Sequence, residues 1–202
     1  MTNTENLAEY KQKRDFKLTA EPTGDEKIDG RKKNQFVIQM HDAQNLHFDF
    51  RLQIGEVLAS WAVPKGPSTD PDVKRLAIRT EDHPLGYGNF EGVIPEDQYG
   101  GGTVLIWDRG DFKNLRLEKK VDGADLEKSL AEGMIEVWLK GQKLQGGYVL
   151  IRTSEGNQEK WLIKKMEDEE ADARRNPVST EKHSVVSGMS LDEIAGKAEK
   201  NE

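Results

Sequence analysis

The sequence predicts a mainly β protein: a small closed β-barrel of about eight strands, with one or two short helices, an N-terminal arm and a disordered C-terminal tail. Three observations carry this. Between Gln35 and Lys165 short apolar runs alternate with polar positions and are punctuated by Gly, Pro, Asp or Asn, the pattern of many strands and few helices. A chain of 202 residues that is 35% hydrophobic can bury one core, not two full domains. Its 33% charged content and mean hydropathy of −0.80 are high for a compact globule, so part of the length is expected to be solvated ends.

The elements follow in order. Residues 1–34 are polar and weakly patterned, with Pro22 and Gly24 as breakers, and read as an arm. Within residues 35–165 the candidate strands are Gln35–His41, Leu46–Ile54, Val57–Val63, Arg75–Thr80, Thr103–Trp107, Met134–Leu139, Gly147–Thr153 and Lys160–Lys165. A helix is expected from Asp125 to Glu132, with Leu126 and Leu130 four apart and Gly133 as its stop. Residues 166–202 carry ten acidic against five basic residues, then Pro177 and a Ser/Thr-rich stretch, and read as an acidic, largely disordered tail. A last helical turn or two is expected over Ser190–Lys197 with Ser190 as N-cap. Removing residues 171–202 is expected to leave the core intact.

Composition excludes several classes. Without cysteine there is no disulfide framework and no thiolate metal site, which leaves imidazole and carboxylate as ligands and suggests a reducing compartment. No run of 18 apolar residues and no signal-like start occurs, so a cytoplasmic chain without a membrane role is expected. The net charge of −7 argues at first against a nucleic-acid partner, yet much of it lies in the tail, and a near-neutral body still accommodates a local basic patch.

Chemistry concentrates in one hairpin. In Leu46–Leu52 the apolar residues Leu46, Phe48, Phe50 and Leu52 share one strand face, and His47, Asp49 and Arg51 share the other. The preceding strand alternates likewise, with Phe36, Ile38 and Met40 opposed to Val37, Gln39 and His41, and Asp42–Asn45 is a plausible four-residue loop. Pairing the two strands would bring His41 beside His47 and Asp49, giving three ligands with open positions, the pattern of a catalytic metal site. His47 and Asp49 alone would equally fit an ordinary solvated antiparallel face. His41 tips the balance, whereas His183 falls in the linker and reads as solvated.

Arg51 follows on the same face, where a guanidinium suits bidentate phosphate binding. Lys65 lies in a Pro/Gly-rigid loop, and Arg75 opens an alternating basic and apolar strand. Each taken singly reads as a solvated charge. His83 and Tyr87 lie just after a strand, where functional groups are commonly presented, though core capping and packing explain them as well. The run Gly100-Gly101-Gly102 lacks the Lys-Ser/Thr and helix of a P-loop and is taken as a flexible turn.

The motifs HDAQNLHFDFRL, SWAVPKGPS, RLAIRTEDHPLGY, FEGVIPEDQYGGGTV and IWDRGDF together resemble the 3′-phosphoesterase module of DNA ligase D. The resemblance extends back to Tyr10–Phe16 and forward to Lys160–Lys165, about four-fifths of the chain. It implies metal ligands at His41, His47 and Asp49 and required groups at Arg51, Lys65, Arg75, His83 and Tyr87, with Gln39 beside the metal. From the arm it implies Arg14, Asp15 and Glu21. Phe48 stands where the family often has tyrosine and Asp97 where glycine is usual, and neither removes a ligand.

The implied cofactor is Mn2+ or another divalent transition metal, consistent with two imidazoles in the ligand set. The implied activity is removal of a 3′-terminal ribonucleoside and then of the 3′-phosphate, leaving a 3′-OH for DNA repair. Nucleic-acid 3′ ends, and a separate DNA ligase and polymerase, are the implied partners of a monomer. The stretch Ser184–Leu191 resembles the segment that joins this module to the ligase portion in fused proteins. A hydrolase of small phosphoesters and a non-catalytic nucleic-acid-binding barrel are the alternatives. Aromatics for stacking would favour the second, and the exposed alternation offers His, Asp and Arg instead.

Overall fold

The computed structural model describes residues 7–25, 34–120, 125–156 and 158–200. Part of the expected arm, residues 1–6 and 26–33, lies outside them. Strand β1 (Gln35–Asp42) and strand β2 (Leu46–Ile54) form an antiparallel hairpin whose register runs from Phe36↔Leu52 to Asp42↔Leu46. Because Asp42 pairs with Leu46, the loop is one residue shorter than the sequence suggests. Gly55, at φ +59°, turns the chain into β3 (Val57–Val63). The ring continues through β4 (Lys74–Arg79), β10 (Lys160–Lys165), β9 (Gln145–Ser154), β8 (Met134–Lys140) and β7 (Gly102–Asn114), and the pairing of β7 with β1 closes it. The expected eight-stranded barrel is thus present. Two short strands lie off the ring: β5 (His83–Pro84) pairs with β3, and β6 (Gly92–Ile94) pairs with β7.

Strand β7 runs far beyond the expected Thr103–Trp107. Arg109-Gly110-Asp111 looks like a turn, but a Cβ at Gly110 would lie 2.0 Å from the Lys140 carbonyl oxygen, so glycine here lets β7 pass β8 without breaking. Where β7 meets β1 the register slips between Ile38↔Asp108 and Gln39↔Ile106. The bulge leaves Trp107 without a β1 partner, and its side chain is wholly buried in the interior.

Eight strands leave a barrel interior just wide enough to be filled by side chains. It is filled here by Phe36, Phe50, Leu52, Trp61, Trp107 and Trp161 among others, with Trp61 and Trp161 edge-to-face at 5.5 Å. A second apolar cluster sits outside the barrel. Val37, Leu58, Val104 and Ile106 point outward, Val57 joins them at the end of β3, and Tyr87, Phe90, Ile94 and the arm residues Leu7 and Tyr10 pack with them. Helix α1 (Ala8–Gln12) brings Tyr10 there, and its hydroxyl donates to the Pro22 carbonyl. The arm is therefore core as well as arm, a role its few apolar residues did not announce. The remaining helices are short: α2 (Leu115–Glu118), α3 (Leu126–Glu132), α4 (Pro177–Thr180) and α5 (Leu191–Ala198). The helix expected from Asp125 begins one residue later, with Asp125 as its N-cap, and Gly133, at φ +81°, ends it as expected.

The disordered tail is corrected. Residues 166–200 wrap the barrel, because a few apolar residues in an otherwise acidic stretch still find sites on it. Val178, Met189, Leu191 and Ile194 pack on the interior cluster, with Ile194 only 6% exposed. Backbone carbonyls fix the path: Trp107 Nε1 donates to Glu181 O at 2.7 Å, and Lys143 Nζ donates to Glu181 O and His183 O at 2.8 and 2.6 Å. Even the charge run is engaged, since the wholly buried Lys165 side chain pairs with Asp168 at 2.5 Å. Ser190 and Glu193 close a capping box on α5. Truncation at residue 170 is accordingly expected to cost on the order of 5 kcal/mol, at roughly 1.5–3 kcal/mol per buried aliphatic side chain. The melting temperature should then fall by about 10 °C or more, read by circular dichroism. An unchanged melting curve would restore the passive tail.

Candidate active site

The β1–β2 hairpin sorts its side chains by face. Phe36, Ile38, Met40, Phe48, Phe50 and Leu52 turn into the barrel; Gln39, His41, Asp49 and Arg51 are buried on the outer side. Register does the rest, since His41 lies directly opposite His47 and Gln39 opposite Asp49. One ligand atom from each of His41, His47 and Asp49 falls within 4.8 Å of the others, a group that could hold a metal ion. Asp49 Oδ2 is 3.6 Å from His41 Nδ1, and Asp49 Oδ1 is 3.7 Å from His47 Nε2. Both separations exceed a hydrogen bond. They are near the roughly 3–3.5 Å that separates two ligands bound at about 2.1 Å to one ion.

The surroundings fit an ion as well. With His47 Nδ1 donating to the Asn45 carbonyl at 2.9 Å, the lone pair of the ring is left on Nε2, on the side of Asp49. His41 Nε2 is buried and has no hydrogen-bond partner among the described residues. Burial alone would push the Asp49 carboxyl up. The Arg51 guanidinium and then the two imidazoles outweigh it and hold the group well below the ordinary carboxylate range.

Arg51 is only 2% exposed and is held by its neighbours. Its Nε donates to Gln39 Oε1 at 2.8 Å and its Nη2 to Asp49 Oδ2 at 3.1 Å, while its guanidinium lies 4.9 Å from the centroid of the Tyr87 ring. Gln39 is oriented in turn by donating to the Tyr87 and Phe90 carbonyls at 3.1 and 3.0 Å. Nη1 of Arg51 is buried with no partner among the described residues.

The arm completes the wall. Arg14 Nε and the Tyr87 hydroxyl both donate to Glu21 Oε1, each at 2.9 Å. Arg14 Nη1 donates to Glu81 Oε1 at 3.1 Å, and Nη2 faces His83 Nε2 at 3.3 Å. His83 Nδ1 lies 2.9 Å from the Glu81 carbonyl, so that nitrogen carries the proton and Nε2 accepts from Arg14. Burial, with Arg51 and Arg14 nearby, pushes the His83 imidazole well below its ordinary value and keeps it neutral. Burial and the Glu21 carboxylate push the Tyr87 phenol well above its own, so it remains a donor.

These groups open on a cleft of about 1090 Å³. The glycine run lines it as well, where a Cβ at Gly100 would lie 4.0 Å from His41 Cε1 and one at Gly102, at φ +142°, would strike the Asp42 carbonyl oxygen at 2.2 Å. The run is thus a close-packed turn that only glycine permits, not the flexible one the sequence suggested. Ala195 and Ala198 of α5, and Glu199 just beyond it, line the same cleft.

Of the expected site residues, the structure brings Arg14, His41, His47, Asp49, Arg51, His83 and Tyr87 to the cleft wall, with Gln39 and Glu21 bonded directly behind them. It does not bring Asp15, Lys65 or Arg75 there. Asp15 and Lys65 are exposed, and Asp15 caps its own turn through the Lys17 N–H. Arg75 shares a β4 face with the buried Ala77; Ile78, opposite Ala62 and so on the Asp49 side, has the other parity. Glu81, Lys13 and Tyr99 were not foreseen. Glu81 stands two residues before His83 in the same loop, the one signal that could have flagged it.

The sequence family described as the DNA Ligase D 3′-phosphoesterase domain matches residues 39–152, more than half of the chain. The chain belongs to that family. By that membership it is a hydrolase domain of the phosphoesterase class, and the LigD match runs from the second half of β1 through most of β9, including the metal-competent group. Among similar proteins, the multifunctional non-homologous end joining protein LigD of Pseudomonas aeruginosa is 46% identical over 173 residues, 85% of this chain and 20% of that protein. The multifunctional non-homologous end joining DNA repair protein LigD of Mycobacterium tuberculosis is 41% identical over 165 residues, covering 82% and 20%. LigD of Mycolicibacterium smegmatis is 39% identical over 167 residues, covering 82% and 21%. The chain spans about a fifth of the length of these curated relatives. No helix among the described residues of this LigD-family domain is long and apolar enough to cross a membrane.

Proposed function

We propose that this chain heals the 3′ ends of nucleic-acid strands with a divalent transition metal, removing a 3′-terminal ribonucleoside and then the remaining 3′-phosphate to leave a 3′-OH. The observation that carries the proposal is Arg51: two of its three nitrogens are anchored, and the third is buried without a partner beside the His41, His47 and Asp49 group. A buried guanidinium arm left unpaired is costly unless a ligand takes it, and a phosphate oxygen is the natural acceptor.

His41, His47 and Asp49 would hold the ion, which when bound supplies Lewis-acid polarisation or an activated water. The mixed imidazole and carboxylate set favours manganese or a neighbouring transition metal over magnesium, which prefers an all-oxygen shell. Arg51 binds the phosphoryl oxygens and stabilises charge that grows there, its plane fixed by Gln39, Asp49 and the Tyr87 ring. Arg14 is fully engaged by Glu21, Glu81, Tyr10 and His83, so its part is to lock the arm against the barrel and to add positive potential to the cleft. His83, neutral and bonded at both nitrogens, positions Arg14. The reading needs no contribution from Asp15, Lys65 or Arg75.

The relatives' names tie those proteins to non-homologous end joining. On this reading the present chain serves the same task in the cytoplasm as a monomer, on ends passed to a ligase and a polymerase. The test is a 5′-labelled primer–template with a single 3′-terminal ribonucleotide, incubated with the protein and Mn2+. A shortened 3′-phosphate product should appear first and convert to the 3′-hydroxyl. Failure to form either product would end the proposal.

A further inference from the structure

We propose that Tyr99 is a stacking platform for the nucleobase of the strand's 3′-terminal residue, at the mouth of the cleft. The inference deepens the end-healing reading and rests on it for the identity of the strand. Among the described residues the large exposed hydrophobic side chains are aliphatic except Tyr99, which is 48% exposed and lines the same cleft as His41, His47 and Asp49. It is neither loose nor distant. Gln98 N donates to the Pro95 carbonyl and Gly101 N to the Gln98 carbonyl, each at 3.0 Å, so two successive turns fix its backbone. The next residue, Gly100, is the neighbour of His41, since a Cβ there would lie 4.0 Å from His41 Cε1, so Tyr99 stands one residue along the chain from a contact with the metal-competent group.

The side chain is also held. Lys13 Nζ donates to the Tyr99 hydroxyl at 3.2 Å and lies 4.7 Å from the ring centroid, and the Arg14 guanidinium lies 5.5 Å from it. Lys13 is not a spare cation for phosphate, since Glu9 and Glu81 already pair with it at 2.7 and 3.1 Å. Its third donor is left to steady the phenol. An aromatic side chain held through its hydroxyl, 48% exposed with Lys13 and Arg14 over its ring, beside a site for a phosphoester, matches the sequence-tolerant way in which proteins receive the bases of a single strand. The cleft, at about 1090 Å³, exceeds the roughly 300–1,000 Å³ that encloses a drug-sized ligand, so phosphate and nucleoside fit together.

The test compares two 3′-phosphorylated primers, one with a normal terminal residue and one whose terminal residue is abasic, on wild-type protein, Tyr99→Ala, Tyr99→Phe and Tyr99→Trp. Tyr99→Ala is expected to raise KM for the base-bearing primer about 10-fold and leave kcat within about 3-fold, with no change in KM for the abasic primer. Tyr99→Phe and Tyr99→Trp, which keep a stacking ring but lose the Lys13 bond to the hydroxyl, should retain most of the wild-type preference for the base-bearing primer. An equal rise on both primers, or a phenylalanine variant as impaired as alanine, would overturn the platform. Equilibrium binding of the same primers by fluorescence anisotropy separates this inference from the reading beneath it. If wild type hydrolyses neither primer, the end-healing proposal falls while the platform is judged by binding alone. A wild-type preference for the base-bearing primer that Tyr99→Ala abolishes supports it, and no preference overturns it.

Discussion

Replacing Arg51 by lysine is expected to depress turnover almost as far as replacing it by alanine, by about 10²–10³-fold. The reason is geometric. Nε and Nη2 are spent on Gln39 and Asp49, and only a planar fork can satisfy both while presenting a third arm to phosphate. A lysine ammonium is a point charge that must abandon at least one of these partners. Loss of the arginine also leaves Gln39 Oε1 and Asp49 Oδ2 buried with one donor fewer, so both variants should melt lower than wild type. The measurement is kcat and KM on a 3′-phosphorylated primer with Mn2+, with folding checked by circular dichroism. A lysine variant with wild-type turnover would show that Arg51 acts through charge alone, or not at all.

The second large effect concerns the ion. Excess chelator is expected to abolish hydrolysis, and Mn2+ to restore it better than Mg2+, because two imidazoles and one carboxylate suit a softer ion. Asp49→Asn should lose at least about 10²-fold, since the ligand charge goes while the shape stays. Asp49 is held below the ordinary carboxylate range, so its ionised form is present throughout the neutral range. Its contribution to ion binding is therefore lost only on acidification well below that range. Full activity in excess chelator would contradict the site.

What the sequence discloses and what it hides follow from range. The hairpin from Gln35 to Ile54 was legible because a strict period of two fixes both faces, and a short loop fixes the register that sets His41 against His47. Arg51 was legible by the same alternation. The docking of the arm was not, because Leu7 and Tyr10 meet Val37, Leu58 and Tyr87 across long separations that no local pattern records. The C-terminal segment was misread for a related reason. Its acidic composition outweighed four well-spaced apolar residues, and its backbone bonds to Trp107 and Lys143 leave no trace in composition. Arg14 and Glu21 entered through resemblance. The structure supplies their physical basis, a buried ion pair that joins the arm to Tyr87 and His83.

The central claim is that His41, His47 and Asp49 together hold one divalent ion. It is tested most directly by titrating Mn2+ into the metal-free protein and reading free Mn2+ by electron paramagnetic resonance. Wild type is predicted to bind one equivalent, and His41→Ala, His47→Ala and Asp49→Asn each to bind at least about 10-fold more weakly while the barrel's circular dichroism is unchanged. Undiminished binding of one equivalent in all three variants would contradict the account.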